Sequence, residues 1–88
     1  MCTTTINIEL NNLQVYTQIK FIFENSESIR VKVNRYDDNI VINTKYYDSF
    51  VIKIEEWEEE VSLYYYKSVY NFRLTAKNRT FEIEEINY

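Results

Sequence analysis

Apolar residues recur at every second position along nearly the whole chain, and this spacing restricts the fold more than any other feature. Successive side chains of a strand point to opposite faces, whereas one face of a helix repeats near 3.6. Ile6, Ile8 and Leu10 alternate with polar neighbours. Val15, Thr17, Ile19, Phe21 and Phe23 form one face of a second run, and Ile29, Val31 and Val33 one face of a third. Ile40 and Ile42 follow, then Phe50, Ile52 and Ile54, then Tyr70, Phe72 and Leu74, then Phe81 and Ile83.

Between the runs lie Asn11-Asn12, Asn25-Ser26-Glu27, Asp37-Asp38-Asn39, Asp48-Ser49 and Lys77-Asn78. Average usage gives roughly six Gly and four Pro in a chain of this size; this one has 0 of each. Asn and Asp must therefore supply the left-handed turn conformations, which they tolerate best among the remaining residues. The missing Pro also suits strands, because Pro cannot donate to a ladder. The expectation is a mainly β fold, a single domain over 1–88. It is an antiparallel sheet of six to eight strands, curled into a barrel or folded as a small sandwich.

Pairing residues that face the same way fixes trial registers. Phe23, Phe21 and Ile19 fall opposite Ile29, Val31 and Val33, which sets Lys20 against Lys32 and Tyr16 against Tyr36 on the other face. In the last hairpin Leu74 meets Phe81, Phe72 meets Ile83, and Arg73 meets Glu82 as an opposite-charge pair.

Residues 54–68, IEEWEEEVSLYYYKS, allow two structures. Ile54, Trp57, Val61, Tyr64 and Tyr65 make a fair helical stripe, so a short helix around 55–66, giving an α+β fold, is one. Against it, Glu55 with Glu59 and Glu56 with Glu60 repel at i,i+4, and no capping box precedes them. The other is a hairpin with Ile54 facing Leu63 and a Trp57-Glu58-Glu59-Glu60 loop. The hairpin is slightly preferred, and in it Trp57 stands exposed among carboxylates.

The net charge of −4 is unevenly spread. Residues 1–47 hold five acids and five bases; residues 48–88 hold nine acids and five bases, so the whole excess lies in the second half. The acids gather at 55–60 and at Glu82, Glu84 and Glu85.

Several function classes drop out. Phosphate-cradling loops, dinucleotide folds and nucleophile elbows need Gly. With 0 His there is no ready general base near neutral pH and no His-rich metal site. An enzyme is not expected, nor a cofactor or metal. Asp37-Asp38-Asn39 lacks calcium-loop spacing and reads as a turn; Asn78-Arg79-Thr80 matches a glycosylation sequon that matters only on secretion. No apolar stretch approaches a membrane span, the start lacks signal-peptide features, and the single Cys2 cannot close an internal disulfide. These point to the cytoplasm, the host's if the protein is viral; the shortage of GC-rich codons (Gly, Pro, Ala) fits an AT-rich genome.

The leading expectation is a small acidic protein–protein interaction module. Glu55, Glu56, Glu58, Glu59 and Glu60 would imitate phosphates and Trp57 would anchor, the partner presenting a basic groove. Phages encode small acidic proteins of this kind against host nucleases, CRISPR effectors included; the analogy is one of size, charge and genome, without a motif. A first alternative is a small-ligand or nucleotide-binding barrel. A second is single-stranded nucleic-acid binding on the face of Tyr16, Lys20, Arg30, Lys32 and Tyr36, which the acidic pI of 4.8 opposes. Homo-oligomers are compatible with either charge surface.

Overall fold

The computed structural model describes residues 3–13, 18–24, 28–33, 37–64, 67–78 and 80–87. Among these residues eight strands form: β1 (Thr3–Asn11), β2 (Gln18–Ile22), β3 (Ser28–Lys32), β4 (Asn39–Lys45), β5 (Ser49–Ile54), β6 (Trp57–Ser62), β7 (Val69–Lys77) and β8 (Thr80–Glu85). They build two four-stranded sheets, ordered β4-β1-β7-β8 and β3-β2-β5-β6. The chain thus passes back and forth between the sheets, leaving a hairpin behind at β2–β3, β5–β6 and β7–β8.

The period-two pattern decides which face of each sheet turns inward. Ile6, Ile8, Tyr70, Phe72 and Leu74 of the first sheet and Ile19, Phe21, Phe50 and Ile52 of the second are all buried in one core. Phe50 and Phe72 join the sheets directly, their rings edge-on at 6.0 Å and 79°, an arrangement aromatic quadrupoles favour. The result is a sandwich rather than a closed barrel.

Four expectations need correction. No α-helix occurs among the described residues, so the α+β alternative with a helix around 55–66 fails: Glu55 and Glu56 form a turn and Trp57–Ser62 is strand. Nor is pairing antiparallel throughout, because β1 and β7 run parallel, with Ile6 beside Tyr70 and Leu10 beside Leu74. That pair is 64 residues apart in sequence, and alternation within each strand carries no sign of which distant strand lies beside it.

The third correction concerns register. Lys20 pairs with Arg30, not Lys32, and Phe21 with Ile29. Phe23 leaves the ladder and stacks on Tyr47 at 5.0 Å and 29°, burying its ring in the core. The last hairpin is likewise displaced by two, with Leu74 opposite Ile83 and Arg73 opposite Glu84. A shift of two keeps every side chain on its face, so the core was foreseen although its partners were not. The fourth correction is larger: Ile54 faces Trp57 and Phe50 faces Val61. The β5–β6 hairpin closes at Glu55-Glu56, and the expected loop Trp57–Glu60 is extended strand.

Candidate protein-interaction site

Among the described residues three adopt positive φ: Asn12 (61°), Glu55 (55°) and Asn78 (28°). Asn is the residue best suited to this region, but Glu55 has no such excuse. It is the first central residue of the β5–β6 turn and Glu56 does not share its sign of φ, which is the pattern of a II′ hairpin, normally filled by Gly. All three residues line one cleft of about 670 Å³ at an end of the sandwich.

The cleft lies between the β5–β6 and β7–β8 turns and the segment leaving β1. Leu13, Ile54, Trp57 and Phe81 give it apolar surface, while Glu55, Glu56 and Lys77 contribute charge. Ile54 and Phe81 belong to the core, whereas Trp57 is 47% exposed. Lys77 is occupied by Glu82 at 3.0 Å.

From this cleft the acids continue along β6. Trp57, Glu59 and Val61 alternate with Glu58, Glu60 and Ser62, and every residue from Glu55 to Glu60 is exposed. β6 is an edge strand of its sheet. Glu58 lies opposite Lys53 and Glu60 opposite Val51. None of the five carboxylates at 55, 56, 58, 59 and 60 enters an ion pair among the described residues. The six residues expected to meet a partner are thus brought together, on a turn and an edge rather than in a loop.

The two outward faces treat charge differently. On the first sheet Arg73 Nε donates to Glu9 Oε2 at 2.9 Å and its Nη1 to Glu84 Oε1 at 3.4 Å. The hydrogen bond to Glu9, followed by that carboxylate's charge, raises the Arg73 pKa above its ordinary value. Asn7 Nδ2 donates to Asn71 Oδ1 at 3.1 Å, and Thr5 Oγ1 to Asn43 Oδ1 at 2.9 Å. Matched polar groups cover this face.

On the second sheet, Arg30, Lys20 and Lys53 stand directly opposite one another across β3, β2 and β5. No ion pair among the described residues involves any of them. Lys32 shares the face, opposite Gln18; Tyr16 and Tyr36, expected beside them, lie outside the described residues. Lys53 was missed because only the β2–β5 pairing puts it in the row. The cleft was missed for the same reason, since Leu13, Trp57 and Phe81 come from three separate parts of the chain.

Among the described residues no three His, Cys, Asp or Glu side chains gather as metal ligands, and no helix is long and apolar enough to cross a membrane. No protein-family model matches the chain, and no curated protein or solved structure matches it.

Proposed function

We propose that this chain is a protein-interaction module whose acidic β5–β6 hairpin docks on a basic surface of a protein partner. One observation carries this reading: five exposed carboxylates with no ion-pair partner among the described residues surround a half-exposed tryptophan on an edge strand. A local excess of charge of one sign steers association and fixes its orientation, and tryptophan is among the residues most enriched at binding hot spots. Glu58 and Glu60 share one face of the strand, about 6.6 Å apart, and Glu59 stands on the other, so carboxylates line both sides of the exposed edge. The partner surface with matching chemistry is therefore a basic nucleic-acid-binding groove such as a nuclease presents, and the module would act as its inhibitor.

Edge-strand charge has a plainer use, which is to prevent edge-to-edge aggregation. Exchanging Glu58, Glu59 and Glu60 together for Gln separates the two. The control makes an equal charge change elsewhere, with Glu24→Gln, Asp37→Asn and Asp38→Asn. Binding to a Lys/Arg-rich peptide at low salt should fall in the first variant much more than in the control, with little change in melting temperature. Equal losses in both, or aggregation of the first with its binding intact, overturn the docking reading.

A second reading rests on the Arg30–Lys20–Lys53 row. Three like charges in register favour an anion over them, and a nucleotide phosphate is the ligand we propose there. Titration with a nucleoside triphosphate, followed by chemical shifts of Lys20 and Lys53, tests it; no perturbation at those residues removes it.

A further inference from the structure

We infer that the cleft beside Trp57 receives a single arginine side chain of the partner. This rests on the acidic hairpin meeting a basic protein and names the residue it takes. Four properties of the cleft define its occupant. Ile54, Phe81 and Leu13 offer apolar surface for a hydrocarbon stem. Trp57 presents about half of its surface to solvent and lines the same space. Among the described residues Glu55 and Glu56 are exposed there without ion-pair partners, and the one described cation in the lining, Lys77, is held by Glu82. The volume of about 670 Å³ accommodates a long side chain together with neighbouring backbone.

Other occupants fit less well. An anion meets the charges of Glu55 and Glu56. A wholly apolar side chain strips water from those carboxylates and returns no hydrogen bond. Lysine supplies the charge, but its ammonium is compact and strongly hydrated. The guanidinium is planar, weakly hydrated, stacks on indole and pairs with carboxylates through several donors, while its methylenes bury against apolar surface.

The chain contains a single tryptophan, so its fluorescence reports this cleft alone. The test compares two peptides of identical sequence, one with arginine and one with lysine at every basic position, titrated at low and at moderate salt. The arginine peptide should bind roughly fivefold or more tightly than the lysine peptide and should shift Trp57 emission and shield it from acrylamide quenching. Trp57→Leu, followed by calorimetry, should abolish the preference for arginine while keeping salt-sensitive binding; Glu55→Gln with Glu56→Gln should weaken both peptides and reduce the preference. Equal affinities with unchanged Trp57 fluorescence overturn the arginine inference and leave the acidic docking surface standing. Failure of both peptides to bind overturns both.

Discussion

Ile54 and Trp57 are cross-strand partners on either side of the Glu55-Glu56 turn, yet Ile54 is 9% exposed and Trp57 47%. Partners in a ladder point to the same side of their sheet. Here that side is the inner one, but the edge position of β6 and the end position of the turn leave the indole beyond the reach of the opposite sheet. A large apolar side chain therefore stands on the core-facing side of a strand without being covered by the core.

It follows that Trp57→Ala should destabilise the fold by only about 1–2 kcal/mol, because roughly half of the indole is already in water. Phe72→Ala, which empties a fully packed position between the sheets, should cost about 3–5 kcal/mol. Urea denaturation of both variants checks the contrast. A Trp57 variant as costly as the Phe72 variant would make the indole a core residue and deprive it of an anchoring role.

Glu55 should be improved by glycine. A side chain with a β-carbon at φ 55° costs about 1–2 kcal/mol, partly offset by the 0.5–1 kcal/mol that glycine loses in backbone entropy. Glu55→Gly is accordingly expected to raise stability by about 0.5 kcal/mol, seen as a higher melting temperature. Glu56→Gly, at a position without positive φ, should lower it. The opposite order would mean that the turn closes in another conformation.

These two positions also show what was legible in the chain. Asn12 and Asn78 fall in segments marked as turns by their Asn residues, and both take the left-handed conformation. The Glu-Glu turn carries no such mark, so the turn was placed three residues too far along, which moves the partner of Ile54 by six, from Trp57 to Leu63, and its charged strand was read as a loop. Burial of Ile6, Ile8, Ile52 and Phe72 followed directly from alternation, which has the same period whatever the partner strand. Strand order, the parallel β1–β7 pair and the cleft formed by three distant segments depend on contacts that alternation does not encode. The acidic cluster was visible because its residues are contiguous; the Arg30–Lys20–Lys53 row was only partly visible because it runs across strands.

Lys20 sits between Arg30 and Lys53, and the sheet bears that repulsion on both sides. Lys20→Glu turns two like-charge pairs into two opposite pairs and should stabilise the protein by about 0.5–1 kcal/mol. The gain should shrink as salt is raised. Lys45→Glu, at the end of β4 opposite Thr3, is the control and should change little. A Lys20 variant no more stable than the control would show that solvent ions already neutralise the row.

Arg73 presents the reverse case, one cation between the carboxylates of Glu9 and Glu84. All three side chains are more than a third exposed, so each pair is worth little by itself. Arg73→Met nonetheless leaves two carboxylates flanking an uncharged residue and should lower stability slightly at low salt. Denaturation at low and high ionic strength checks it, with the deficit expected to narrow at high salt. A deficit independent of salt would assign it to packing of the arginine stem.

Tyr46 gives the chain a pH-dependent contribution. Its hydroxyl donates to the Leu63 carbonyl at 3.3 Å. Burial first, then the charges of Tyr70 and Asp48, raise its pKa above the ordinary 10.0. The folded phenol thus keeps its proton to a higher pH than the unfolded one. Its contribution is complete below the unfolded pKa and is lost as pH rises through the folded one. Tyr46→Phe forgoes the hydrogen bond and should be the less stable of the two near neutrality, but escapes that loss. With nine tyrosines in the chain, alkaline denaturation of the parent alone cannot isolate this one. The comparison can: urea stabilities of parent and variant should differ at neutral pH and converge above about pH 10. Parallel curves would show that the Tyr46 hydroxyl titrates alike in the folded and unfolded chains.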